Sequence, residues 1–338
     1  MSDLDSVRPP AWASLMPHHY PPVHNISSSW SRRLLLAIGR EGKLLSHKPD
    51  ATKGEGYFHF IPQNGSRRVF IKTLRSKHLK SQLEANRIIE QLADEALPVS
   101  PLLDGYPRRI DNEYSLFAYN LIDGRFAHAN QDDLAALGRL LGRTHNALSA
   151  LPWAAQIREQ STQRNEHLAK LRIRALNLIN TENPAYKPLS LTSITLSDDN
   201  AQALHGDLNI GNILFGKSSG QPALLDLEDA NHNWHNPIVD LAMAIERFVL
   251  VLEPDDKKAF ILGKALIDGY KATHHGPICW SQTASDILCI LSARSLSLLL
   301  NSSQAINQDE VTKFVQLSQQ ARSREALLRR LWDFGASE

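Results

Sequence analysis

The chain has 338 residues, 42% hydrophobic and 22% charged, which gives too much apolar content for a disordered chain and enough for two lobes rather than one small core. Its 37 Lys and Arg against 36 Asp and Glu leave a formal charge of +1, so no global field draws it to nucleic acid or to an anionic membrane. Two cysteines, Cys279 and Cys289, make neither a disulfide framework nor a paired zinc pattern. With acids and prolines where a secretion signal would be basic and apolar, the expected location is the cytoplasm.

Residues 1–29 are rich in Pro, His and Ser and read as an extension. From Trp30 to Lys43 the leucines and Ile38 recur at helical spacing behind the Ser27 to Ser29 cap candidates, so a first helix is expected. Short strands are expected at Leu44 to Lys48, Tyr57 to Pro62 and Val69 to Leu74, the last two joined by a turn containing Asn64-Gly65. Lys77 to Ala96 reads as a helix with Leu79, Leu83, Ile88, Leu92 and Ala96 on one line, ended by Pro98. Strands at Pro101 to Tyr106 and Ser115 to Leu121 complete an antiparallel sheet with one helix against it, a small N-terminal lobe over 30–122.

Beyond Asp123-Gly124 the pattern turns helical, at Gln131 to Leu148, Ala155 to Asn180, and almost everywhere from Val239 onward. Residues 123–338 are therefore expected to form a larger, mainly helical lobe, and the fold class is α+β. No apolar run approaches the roughly 20 residues a membrane span requires, so neither membrane nor nucleic acid is an expected partner.

The chemistry concentrates in Leu204-His-Gly-Asp-Leu-Asn-Ile-Gly-Asn-Ile-Leu-Phe215 and Ala223-Leu-Leu-Asp-Leu-Glu-Asp229. Asp207, an Asn five residues later and an acid 14 residues further on supply three oxygen groups on a strand-loop-strand frame. Phosphoryl transfer needs such groups, because it demands metal-neutralised phosphates and a positioned hydroxyl. Asp207 can accept or orient the hydroxyl proton, while the Asn212 amide oxygen and the Asp226 carboxylate are hard donors suited to Mg²⁺. Any one of these residues alone would read as a turn, and only the combination carries the inference.

His205 to Asn212 resembles the His-Gly-Asp-x-x-x-x-Asn loop of the aminoglycoside phosphotransferase and choline kinase-like family, a small-molecule branch of the protein-kinase-like fold. The resemblance runs over roughly residues 50 to 300. It implies a bilobal fold, catalytic roles for Asp207 and Asn212, and a metal set of Asn212, Asp226 and Glu228. Asp240, in Pro237-Ile-Val-Asp-Leu-Ala242, would brace the catalytic loop through backbone hydrogen bonds, and Leu140-Leu-Gly-Arg-Thr-His145 is similar to the helix preceding that loop. It further implies that Lys72 reaches the ATP phosphates, that Glu84 pairs with it with Glu90 as runner-up, and that the strand and hinge carrying Tyr119 and Leu121 hold adenine through the backbone. Gly54 and Gly56, in Lys53-Gly-Glu-Gly56, are candidates for a phosphate loop, though a pair of glycines matches the family's loop poorly.

Gly206 stands where protein kinases carry Arg, and only 13 residues separate Asp226 from Asp240, with no Ala-Pro-Glu signature. A small hydroxyl-bearing acceptor such as a sugar, an amino alcohol or an aminoglycoside-like compound is therefore expected, with ATP or GTP as donor and Mg²⁺ as cofactor. The alternatives are a bacterial stress-response Ser/Thr protein kinase and a nucleotide-binding regulatory protein with little catalysis. Acids from Asn231 onward barely outnumber bases, which does not favour a polycationic acceptor. His232-Asn-Trp-His235 has a spacing that could bind metal but lacks a third ligand, so loop polarity or substrate contact is expected there. Trp234 and Trp280 could line an acceptor pocket, packing being the plainer reading, and His205 is expected to pack under the loop and donate a hydrogen bond.

Overall fold

A computed structural model describes residues 24–25, 29–46, 54–178, 195–301 and 308–337. Most of the 1–29 extension, Lys53 and the expected ends of the 44–48 strand and the 155–180 helix lie outside the described residues. The described residues divide into two compact units, one lying within 24–125 and 214–228, the other within 126–213 and 229–337. The 214–228 segment, which carries Asp226 and Glu228, thus packs with the smaller unit.

The smaller unit is built on a six-stranded antiparallel sheet: β1 (His24–Asn25), β2 (Gly42–Ser46), β3 (Gly56–Pro62), β4 (Val69–Arg75), β5 (Arg108–Arg109) and β6 (Tyr114–Asn120), in the order β1-β2-β3-β4-β6-β5. Alternation along the strands sorts the side chains to two faces. Phe58, Phe60, Val69, Ile71, Leu116 and Ala118 pack on Trp30, Leu34 and Ile38 of the Ser29–Ile38 helix, which ends at Gly39 (φ +66°) rather than running to Lys43. The register pairs Tyr57 with Lys72, His59 with Phe70 and Phe70 with Tyr119, which puts these residues on the opposite face. The Leu79–Asp94 helix reaches that face through Gln82 and Asn86, so each face has a helix where the sequence reading gave the sheet one.

The strand expected at Pro101 to Tyr106 is replaced by a single bridge between Leu102 and Tyr119, after which the chain turns at Gly105 (φ +78°). Pro107 has no N–H to donate, and pairing resumes at β5. Strands β7 (Gly124–Arg125), β9 (Ile213–Gly216) and β10 (Pro222–Leu224) form a second small sheet, and β8 (Gln202–Ala203) pairs with β11 (Trp234–His235) in the larger unit.

The larger unit is helical. The Gln131–Ser149 helix, capped by the Asn130 side chain on the Asp133 N–H, packs closely on the Asp256–Lys271 helix. A Cβ at Gly142 would lie 2.8 Å from the Tyr270 carbonyl oxygen, so the glycine of the Leu-Gly-Arg-Thr-His segment permits this approach. The Ile238–Ile245 helix runs directly into a π-helical turn at Glu246–Leu250, a local widening often found at functional sites. Helices Ala154–Leu178, Ala284–Leu300, Gln308–Ser323 and Glu325–Ala336 complete the unit. Among the described residues no helix is long and apolar enough to cross a membrane.

Candidate active site

In the larger unit, β8 delivers the chain to a loop at 204–209 whose geometry is fixed from beneath. Asp240, fully buried in the first turn of its helix, accepts the His205 N–H at 2.8 Å on one carboxylate oxygen and the Gly206 N–H at 3.0 Å on the other. His145 Nε2 lies 3.1 Å from the same carboxylate, and its Nδ1 lies 2.9 Å from the Tyr270 hydroxyl. Burial pushes the Asp240 carboxyl up, but the hydrogen bond and charge of His145, the field of His205 and the Gly206 N–H outweigh it and hold it below the ordinary value. The expectation that Asp240 ties down the loop backbone matches this geometry.

Gly206 has φ +81°, and a Cβ there would lie 2.2 Å from Asn233 Nδ2, so both conformation and space require glycine. This bend leaves Asp207 half-buried, with its N–H donating to His205 Nδ1 at 3.2 Å. His205 thus accepts through Nδ1, which leaves Nε2 as the donor nitrogen of a neutral ring. The Asp207 Oδ2 accepts the amides of Asn209 (3.0 Å) and Asn212 (3.1 Å), and Asn212 Nδ2 also bonds the Asp207 carbonyl at 2.8 Å. With its nitrogen turned to Asp207, Asn212 leaves its amide oxygen, a hard donor in type, outside these contacts.

The loop forms one wall of a cavity of about 440 Å³ contained within the larger unit. Its other walls come from Arg164 on the Ala154–Leu178 helix, Glu246 and Arg247 on the π-helical turn, Arg294 on the Ala284–Leu300 helix and Phe314 on the Gln308–Ser323 helix. The sequence reading named none of these, because they lie up to 150 residues apart (Arg164 to Phe314) and only the helix packing gathers them. One signal was present, the adjacent Glu246-Arg247 charges inside the otherwise apolar 241–252 run. Trp234 and Trp280 do not line this cavity; Trp280 packs edge-on against Trp332 at 5.1 Å. His232 binds the Asp229 carboxylate at 2.9 Å and His235 lies beside Arg294, so the two histidines serve separate contacts.

In the smaller unit Lys72 is buried mid-strand, its ammonium 5.6 Å over the Tyr57 ring. Burial lowers its pKa, while the charges of Asp226 and Glu55 act in the opposite direction. Its ion-pair partner is Glu228, a residue expected at the metal. Glu84, expected to hold Lys72, is instead beside Lys80 at 3.9 Å, and Glu90 is exposed. The helix turns Gln82 and Asn86 to the sheet, where the Tyr119 hydroxyl donates to Asn86 Oδ1 at 2.9 Å and lies 3.3 Å from Gln82 Nε2. Burial raises the Tyr119 phenol well above its ordinary value, and the Asp226 charge adds to this.

Asp226 follows β10 with φ +52°, a left-handed conformation that costs a non-glycine residue on the order of 1 kcal/mol, and its side chain is exposed. Leu121 donates its N–H to the Arg68 carbonyl at 3.1 Å, so that amide is already engaged. Gly54 and Gly56 each have a carbonyl turned to the Thr73 hydroxyl, at 2.9 and 3.4 Å, and neither has a left-handed backbone or a neighbour that a Cβ would strike. No three His, Cys, Asp or Glu side chains gather into a metal site among the described residues. Asn212 in the larger unit and Asp226 in the smaller unit each carry a hard oxygen donor of the kind Mg²⁺ takes.

The sequence profile of the phosphotransferase enzyme family matches residues 59–272. Among solved structures, the chain is similar to a spectinomycin phosphotransferase in complex with ADP and spectinomycin, with a TM-score of 0.56, 13% identity, and coverage of 90% of this chain and 99% of that one. It is also similar to an aminoglycoside phosphotransferase from Alicyclobacillus acidocaldarius, with a TM-score of 0.51, 12% identity, and coverage of 84% and 94%. No curated protein matches the sequence. At these identities the likenesses show the fold, which is protein-kinase-like and of the expected α+β class. The match over more than half of the chain places it in the phosphotransferase enzyme family, as a kinase acting on an alcohol group.

Proposed function

We propose that the chain moves the γ-phosphate of ATP, or of GTP, to a hydroxyl of a small-molecule acceptor in the sugar, amino-alcohol or aminoglycoside-like range. Asp207 is the catalytic base. The observation that carries this reading is the Asp207 carboxylate, fixed by Asn209 and Asn212 on a loop clamped by Asp240, at the wall of a cavity large enough for such an acceptor. A carboxylate held this way needs no reorganisation to orient a hydroxyl for in-line attack.

On this reading residues 30–122 form the nucleotide lobe, 123–338 supply the catalytic loop and acceptor site, and the protein works in the cytoplasm. Lys72 would meet the phosphates, and its burial against Glu228 gives it an ammonium that an incoming polyanion would stabilise. Magnesium, bound by Asn212 and Asp226, would neutralise the transferring phosphate.

The test is Mg-dependent ADP or GDP release against a panel of sugars, amino alcohols, aminoglycosides and generic protein substrates, with Asp207→Asn as control. Turnover raised by a small molecule in the wild type alone supports the reading. Stimulation by protein alone would establish a protein kinase, and nucleotide binding without turnover on any acceptor would make the chain a regulatory protein.

A further inference from the structure

The cavity over Asp207 carries more charge than phosphoryl transfer uses. Four acids, Asp207, Asp229, Glu246 and Glu310, and four bases, Arg164, Arg247, Arg294 and Lys313, line it. Three of the bases stand against an acid of the same lining: Arg164 is 3.0 Å from Asp229, Arg247 Nε is 3.3 Å from Glu246, and Lys313 meets Glu310. Asp207 is held by its own loop amides. Arg294 remains. It is 8% exposed, and it bonds the amide oxygen of Asn165 and, at 3.3 Å, His235 Nε2.

Neither of those partners balances its charge. Burial, reinforced by the Arg294 charge, holds the His235 pKa down to about 3, so the imidazole is neutral near pH 7. Burial also lowers the Arg294 pKa, but only to about 10, so the guanidinium stays charged. Asp198 and Asp229 act on it from a distance, and no carboxylate among the described residues forms an ion pair with it. A buried cation with neutral hydrogen-bond partners is a costly arrangement unless something anionic meets it.

A second feature points the same way. The Nε and Nη1 of Arg247 are buried without a hydrogen-bond partner, because its contact with the neighbouring Glu246 is poorly aligned. Guanidinium forks suit two-oxygen anions, and two of them face one cavity beside the base that would receive the acceptor hydroxyl.

We propose that the acceptor carries, besides its hydroxyl, an oxyanion group, a carboxylate or a phosphate, seated on Arg294 with Arg247 assisting. This rests on the cavity being the acceptor site. It sets the chain apart from a phosphotransferase for polycations, since the lining has as many bases as acids and its buried Arg294 cation has no carboxylate among the described residues paired with it.

Two measurements test it. The first reads binding alone: thermal unfolding with excess ADP and magnesium, titrating inorganic phosphate or acetate against chloride at constant ionic strength. A saturable rise in the wild type that Arg294→Gln removes is expected. Ser295→Asp, which adds a carboxylate to the lining without removing a buried contact, should weaken it too. No rise over chloride, or a rise unchanged in both variants, overturns the proposal.

The second compares ADP release with glucose, glucuronate, glucose 6-phosphate and glucosamine. Preference for the acids, with KM raised on the order of tenfold or more by Arg294→Gln at nearly constant kcat, supports it. Preference for the carboxylate over the phosphate, or the reverse, identifies the oxyanion. Preference for the neutral or the cationic sugar overturns it. Loss of phosphate binding in Arg294→Gln without turnover on any acceptor would sustain the oxyanion site while refuting the kinase reading.

Discussion

The 204–209 loop in the larger unit and the Lys72 face in the smaller unit are both polar arrangements, yet they are held in different ways. Around Asp207 every support comes from buried or half-buried groups at fixed distances: two N–H donors on Asp240, two amides on the Asp207 carboxylate, and His145 between Asp240 and Tyr270. Around Lys72 the one ion pair is made with Glu228, a half-exposed residue just beyond a left-handed Asp226, while the adjacent helix offers amides rather than a carboxylate. A fully supported network fixes one geometry, whereas a single partner at a chain bend can be exchanged for a ligand. The first region is suited to holding a reacting group still, and the second to receiving a charged one.

The largest expected effect comes from the pre-set side of this contrast. On the proposed reading, Asp207→Asn removes the proton acceptor of the transition state while its amide can still meet Asn209 and Asn212. Turnover should fall by about 10² to 10⁴, with nucleotide affinity nearly unchanged. Steady-state rates and nucleotide titration on the same preparation read both; wild-type turnover would refute the role of Asp207. Gly206→Ala leaves that carboxylate in place but asks an L residue to take φ +81° with its Cβ on Asn233. Strain and contact together should cost about 2–3 kcal/mol, seen as a lower Tm and roughly tenfold or greater loss of rate. A rate loss there that leaves nucleotide affinity intact would show that the loop acts on the acceptor step alone.

The larger unit should also be the acid-sensitive one. Burial lowers the His274 pKa to about 4 and that of His235 to about 3, so both are neutral in the fold where the unfolded chain would bind protons below about pH 6.5. The unfolded state then holds more protons, and stability is full above about pH 6.5 and falls as the pH drops toward 4. Each histidine contributes a slope of up to about 1.4 kcal/mol per pH unit. His274→Gln should flatten the dependence of Tm on pH in that window. An unchanged slope would mean that His274 titrates normally in the fold.

The same contrast separates what the sequence made legible from what it did not. The His205 to Asn212 loop could be read because its geometry is local, so spacing carried the information, and its Asp240 brace followed from the family resemblance at one helix start. The helix over 79–94 defeated the apolar-periodicity reading. Leu79, Leu83 and Ile88 suggested one buried line, yet Leu83 is 42% exposed while Gln82 and Asn86 are buried, because Tyr119 offers its hydroxyl on the sheet face. In that orientation Glu84 stands beside Lys80, and Lys72 pairs with Glu228. The cavity wall was hidden for a different reason: its arginines and acids come from six separate chain segments, and no short window of sequence contains more than two of them.

The smallest expected effects are the most discriminating between the two regions. Glu228→Gln removes the carboxylate from Lys72 while keeping its size. Because Glu228 is 39% exposed, solvent screens the pair, and the loss should be about 1 kcal/mol in stability. Glu84→Gln, which disturbs only a contact with a nearly fully exposed Lys80, should leave stability within about 0.5 kcal/mol of wild type. The two variants should also differ in nucleotide binding. Without Glu228 the Lys72 ammonium has lost its counter-charge and gains more from phosphates, so the stabilisation by saturating ADP should grow relative to the wild type, whereas Glu84→Gln should leave it alone. Thermal unfolding with and without ADP decides the matter. If Glu84→Gln weakens nucleotide binding and Glu228→Gln does not alter it, the helix carboxylate is the partner of Lys72 in the nucleotide-bound protein, and Lys72 exchanges Glu228 for Glu84 when the nucleotide arrives.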